Sequence, residues 1–161
     1  MALTKEQEII NKFAANAHEE WRKGFDQVYA ETGVPSKQRV KKNSDGTEGD
    51  INVPFEKLHG DWQKENLAAG KAALEALKKF PNDIEAAADF VHQEWMKRNP
   101  KAEWNAAQHV PYAELPQSEK DKDKVQVAII NEIMVGTISN NIQKIRNEAI
   151  KNSVSSTVKP K

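Results

Sequence analysis

His18-Glu19-Glu20-Trp21 and His92-Gln93-Glu94-Trp95 are one His-x-x-Trp unit met twice, 74 residues apart. A second pair follows in the same order: Val53-Pro54-Phe55-Glu56-Lys57-Leu58 and Val110-Pro111-Tyr112-Ala113-Glu114-Leu115, 57 residues apart. Two motifs repeated in the same order point to an internal duplication, with 17 extra residues in the first half between Trp21 and Val53. At the second offset Asp61 falls on Ser118. Both are helix-capping residue types, so a helix is expected to begin at each.

Around these motifs the pattern is helical. Thr4 with Gln7 three residues on makes a capping box. Ile9, Ile10, Phe13, Ala14, Ala17 and Trp21 then recur at steps of three and four. Gly24 weakens this helix, and Gly33-Val34-Pro35 ends it. Residues 36–50 are polar, with a basic run (Lys37, Arg39, Lys41, Lys42) and an Asn43-Ser44-Asp45-Gly46 turn, so a hairpin or a mobile loop fits. Asn52-Val53-Pro54-Phe55 is extended, because a residue before proline avoids the α region. A second helix runs from Asp61 to about Lys79, and Asp83 caps a third that carries Ile84, Ala87, Ala88, Val91 and Trp95 and stops at Asn99-Pro100. Val110-Pro111-Tyr112 is extended again. Ser118 opens the last helix, apolar at Val125, Ile129, Ile130, Ile133 and Met134. Gly136 can kink it, while Ile138, Ile142, Ile145 and Ile150 carry the pattern on. The fold class expected is mostly α: two pseudo-symmetric helical half-repeats, about 5–80 and 83–140, with extended Pro-containing segments between helices. A single domain over 1–152 then includes a C-terminal helix extension, and 153–161 is a flexible tail.

Composition narrows the function. The chain has 161 residues, 38% apolar and 30% charged, with 24 basic residues against 24 acidic ones. A neutral chain has no general attraction to nucleic acid or to an anionic membrane, so a bound anion needs a local site. There is no cysteine, hence no disulfide, thiolate metal site or cysteine nucleophile. Met1-Ala2-Leu3-Thr4-Lys5-Glu6 lacks the apolar core of a signal peptide, and the stretch Val125 to Ile138 is too short and polar to span a bilayer. A soluble, cytoplasmic protein is expected.

A His-x-x-Trp helix, a loop, an apolar-Pro-aromatic-x-x-Leu segment and a polar helix start resemble the ryanodine-receptor repeat. Phe13-Ala14-Ala15-Asn16-Ala17-His18-Glu19-Glu20-Trp21 and Val110-Pro111-Tyr112-Ala113-Glu114-Leu115 are the stretches most similar to it. The resemblance covers most of residues 5 to 135, although the family's Gly-Trp-x-Tyr-Gly segment has no match. It implies a mostly helical pair of pseudo-symmetric halves and a binding module rather than an enzyme. It also implies an adenine nucleotide between the halves near Trp21 and Trp95, with His18 and His92 one turn before them. A phage or bacterial setting would suit a stand-alone copy.

The residues themselves leave two readings of the tryptophans open. His and Trp three apart share one side of a helix. Two such pairs facing across a cleft would make a slot for a planar ring, where stacking contributes roughly 1–3 kcal/mol per base. Alternatively both indoles are core anchors. Arg22-Lys23 and Lys97-Arg98 follow the tryptophans, where they can meet phosphates or simply sit on solvated helix ends favoured by the macrodipole. Val-Pro-aromatic-x-x-Leu reads as structural, with the Tyr112 hydroxyl its one polar handle. Trp62-Asn66 and Trp104-Asn105 are further aromatic-amide pairs. The four histidines lack metal-ligand spacing, so neither a metal nor any other cofactor is expected, and no catalytic motif stands out. Glu119-Lys120-Asp121-Lys122-Asp123-Lys124 reads as a solvated first turn. The function expected is a non-catalytic module holding a nucleotide-like small molecule between the halves, for sensing or sequestration. The rival is a protein-interaction or structural module with tryptophans in the core, which the isoleucines of the C-terminal helix favour, as they do a homodimer.

Overall fold

The computed structural model describes residues 3–36 and 39–135. Thr4 and Gln7 form the expected reciprocal cap, and α1 runs over Lys5–Thr32. It passes straight through Gly24, which is buried, and ends at Gly33 in the left-handed conformation (φ 70°). That is where a residue without Cβ belongs. Of the two alternatives for the polar stretch, residues 40–50 form the hairpin. Strands β1 (Val40–Lys42) and β2 (Glu48–Asp50) pair antiparallel, Lys41 opposite Gly49, around a turn with Gly46 at φ 86°.

Three more α-helices follow among the described residues: α2 (Gly60–Lys79), α3 (Ile84–Arg98) and α4 (Gln117–Val135). Asp83 caps α3, its side chain accepting from the Ala86 amide. The cap of α2 differs from expectation. It is His59, whose ring accepts from the Asp61 amide, while the Asp61 carboxylate is drawn away to the Ser44 amide. Helix α4 likewise starts one residue before Ser118, so the first residues of α2 and α4 are still 57 apart. The fold is mostly helical. The kink at Gly136, the isoleucines from Ile138 onward, the homodimer they favour and the tail from Ser153 fall outside the described residues.

The helices pack so that α2 and α4 touch each other and each touches both α1 and α3. Each contributes one stripe to the core: Phe13 and Phe25 of α1, Ala73 and Leu74 of α2, Ala87 and Val91 of α3, Ile129 and Ile130 of α4. The alanine face of α2 lets α1 approach closely. A Cβ on Gly70 would stand 2.8 Å from Phe13 Cδ1, and Phe13 is itself 1% exposed and hemmed in. Gly70→Ala gains up to about 1 kcal/mol of helix propensity but overpacks a tight contact, which typically costs about 1–3 kcal/mol. A net destabilisation of about 1–2 kcal/mol is expected in urea denaturation; a more stable variant would show that α1 can move aside.

The two Val-Pro-aromatic segments adopt the same backbone. Pro54 lies at φ −53°, ψ 148° and Pro111 at φ −55°, ψ 146°, and each leads into a single 3-10 turn, Phe55–Lys57 and Tyr112–Glu114. Leu58 (φ −65°, ψ 147°) and Leu115 (φ −70°, ψ 145°) close the turns, donating their amides to the Phe55 and Tyr112 carbonyls. The first turn packs on α1 and the second on α3. Each is tied there by a histidine: Nε2 of His18 donates to the Val53 carbonyl at 2.6 Å, and Nε2 of His92 to the Val110 carbonyl at 2.6 Å. A carbonyl can only accept, so both rings carry their proton on Nε2.

Candidate functional site

A cavity of about 510 Å³ opens between the hairpin and the helices, within the usual range for small-molecule pockets. Its aromatic wall is Trp21 from α1, Trp62 from the first turn of α2 and Trp95 from α3, joined by Ile51 and Leu58. Its polar groups are Glu65 and Asn66 of α2, Asn99 after α3, His18, and Lys41 to Ser44 of the hairpin. Trp21 and Trp62 are half-buried, whereas Trp95, though it lines the cavity, is only 3% exposed. Core anchor and cavity wall are therefore both true of Trp95.

The hairpin is held over the cavity by the start of α2. Trp62 Nε1 donates to Asn43 Oδ1 at 2.8 Å, which fixes the indole plane, and the Ser44 amide donates to Asp61 Oδ2 at 2.8 Å. Because His59 Nδ1 accepts from the Asp61 amide, its Nε2 carries the proton and donates to Asp45 Oδ2 at 3.0 Å. These donors hold both carboxyls below the ordinary range, that of Asp45 through the Thr47 hydroxyl first and that of Asp61 through the Ser44 amide first. The hairpin in turn sets Lys41, buried, and Lys42, exposed, against the cavity.

The sequence-derived site divides in two. His18, Trp21 and Trp95 line one cavity, as do Trp62 and Asn66. His92, Arg22, Lys97, Arg98 and Tyr112 do not. His92 is fully buried, bonded to Val110 and stacked on Trp95 with ring centroids 5.9 Å apart. The Tyr112 hydroxyl donates to Glu85 Oε2 at 2.7 Å, and burial, then that carboxylate, pushes its pKa up. The cations after the tryptophans are held by carboxylates. Arg22 pairs with Glu19 (2.7 Å) and donates to Asn52, exposed Lys97 pairs with Glu94 (2.9 Å), and Arg98 pairs across helices with Glu65 (3.1 Å). The cavity takes its cations from β1 instead.

The charge run of α4 is a further correction. Glu119, Lys122 and Asp123 are 7%, 4% and 1% exposed, so this turn is internal rather than solvated. Lys122 Nζ meets Glu119 Oε1 at 2.6 Å, Gln108 donates to Glu119 Oε2 at 3.0 Å, and Asp123 Oδ2 lies 3.8 Å from His92 Nδ1. Residues three and four apart share a helix face, so alternating charge in sequence places Glu119, Lys122 and Asp123 on one side.

Burial of His18 lowers its pKa from the ordinary 6.5, outweighing the carbonyl bond that raises it. A histidine with a depressed folded pKa takes up its proton more readily when unfolded, so its contribution to stability is present above 6.5 and is lost as pH falls through that value. The melting temperature should therefore drop from about pH 7 to about pH 5. Replacing His18 by Gln, which can still donate to the Val53 carbonyl, should flatten part of that slope; an unchanged profile would assign it to other groups.

Among the described residues no helix is long and apolar enough to cross a membrane, and no three acidic or histidine side chains gather as a metal site would require. Neither a family model, nor a curated protein, nor a solved structure matches this chain.

Proposed function

We propose that the chain is a non-catalytic binding module, cytoplasmic and built as a tandem pair of ryanodine-receptor-type repeats, that holds one nucleotide-like small molecule between hairpin and helices. The observation that carries this is the convergence of three tryptophans from three helices on one cavity. Trp21 and Trp62 supply exposed indole surface for a planar ring, which every base satisfies through its π-face. Lys42 and Lys41 at the hairpin provide the positive end for phosphate, in a molecule with no net charge to steer one there.

The pairing of the halves supports a stoichiometry of one. Trp62, Glu65 and Asn66 of the cavity lie 57 residues before Glu119, Lys122 and Asp123. Where the first half presents an aromatic, a carboxylate and an amide to open space, the second buries two carboxylates and a lysine, with Lys122 paired to Glu119. The 17-residue excess of the first half lies in the stretch that contains the hairpin, which borders the cavity through Lys41 to Ser44.

Titration of tryptophan fluorescence with nucleoside monophosphates tests the reading, together with mass spectrometry of small molecules released on heat denaturation. Saturable quenching at one ligand per chain is the expected result. A protein-interaction module would ignore every nucleotide and release nothing.

A further inference from the structure

Among the described residues, Glu65 is the one carboxylate on the cavity wall. It sits one turn after Trp62 on α2, so indole and carboxylate share a side of the helix. Its orientation is fixed from α3. Oε1 accepts from Arg98 Nη2 at 3.1 Å, from Arg98 Nε at 3.3 Å and from Asn99 Nδ2 at 3.4 Å. Oε2 receives only the long Arg98 Nε contact of 3.4 Å among the described residues. A carboxylate oxygen has two lone-pair directions, so Oε2 retains capacity for a ligand donor. Asn66, beside it on the same wall, has its side-chain amide uncommitted among the described residues.

This arrangement opposes phosphate and favours N–H groups. A phosphate near Glu65 would meet a like charge, whereas at the hairpin it meets Lys42. The ring end of a ligand then points toward Glu65 and Asn66. Resting on the ligand reading above, we propose that Glu65 is the specificity determinant of the cavity, selecting rings whose edge carries adjacent N–H donors next to a carbonyl. The 2-amino-6-oxo edge of guanine is such an edge: its N1–H and 2-amino group donate to Glu65, and its carbonyl accepts from the Asn66 amide. Adenine turns the unprotonated N1 lone pair toward the carboxylate and is disfavoured. Hypoxanthine keeps one of the two donors and falls between. Arg98 acts through Glu65, as a positioning residue that holds the carboxylate in place.

The test compares GMP, IMP and AMP, which share ribose and phosphate and differ in the ring edge. Fluorescence titration of the full chain at fixed ionic strength should give GMP an affinity at least about tenfold above AMP, with IMP between them. Glu65→Gln, which keeps size and shape but turns an acceptor into a donor, should weaken GMP at least about tenfold and leave AMP unchanged or improved. Asn66→Ala should weaken GMP more than AMP. If GMP and AMP quench wild type equally, or Glu65→Gln leaves their ratio unaltered, the assignment of Glu65 is overturned while the ligand cavity stands. If no nucleotide quenches, the cavity reading falls and the assignment with it. The wild-type order of the three nucleotides decides the matter even if the Glu65 variant does not fold.

Discussion

Trp95→Ala should cost about 3–5 kcal/mol of stability, the usual loss when a buried aromatic is cut to a methyl group. The indole is 3% exposed, lies flat on His92, and His109 tilts against it at 6.3 Å. A domain of this size has roughly 5–15 kcal/mol in total, so the variant should lose a large share of its stability and melt well below wild type. Trp21→Ala is the contrasting case. Its ring is half-buried at the cavity edge, so the expected stability loss is about 1–2 kcal/mol. Its ligand affinity, however, should fall by the stacking contribution of roughly 1–3 kcal/mol. Urea denaturation and a ligand titration on both variants separate the two roles. Equal destabilisation by the two substitutions would make Trp21 an anchor too and leave the cavity without a platform.

That split marks the limit of what spacing along the chain reveals. His-x-x-Trp says that two side chains share a helix face; it does not say how deeply each is buried, which depends on the neighbouring elements. Local rules suffice where the partners are local: the Thr4–Gln7 box, the Asp83 cap, and the turn at Asn43 to Gly46 that makes the hairpin. They fail where a long-range partner competes. Asp61 is a good capping residue, but the Ser44 amide claims its carboxylate and His59 caps α2 instead. Arg22 and Lys97 each have a glutamate three residues earlier, a pairing visible in the sequence that outranks a distant phosphate. The hairpin lysines are visible as a basic run, and their place in the one stretch by which the halves differ in length is the signal for a site. Glu65 gives no such signal, since nothing local distinguishes it from any other helical glutamate.

Lys122 is where burial matters most for stability. Its side chain is 2% exposed and that of Glu119 9%, with Nζ 2.6 Å from Oε1. The exposed pair Lys23–Glu20, at 3.6 Å with the lysine 72% exposed, shows what the same i,i+3 spacing is worth in water, at most about 1 kcal/mol. Removing one partner of a buried pair is different, because the remaining charge cannot return to solvent without unfolding. Lys122→Met, which keeps the volume, leaves Glu119 and Asp123 in the interior without that cation and should cost about 3–5 kcal/mol. The double variant Lys122→Met with Glu119→Gln removes both charges, and the new side-chain amide keeps a carbonyl oxygen to accept the hydrogen bond that Gln108 donates to Glu119. It should recover the part of the loss that comes from Glu119, since replacing a buried ion pair by groups of similar volume is often nearly neutral, while the charge of Asp123 remains. A cycle of the four proteins in urea measures the coupling directly. A loss under about 1 kcal/mol for Lys122→Met would put these charges in water, as a surface turn, and the counterpart of the cavity in the second half would then be open rather than filled.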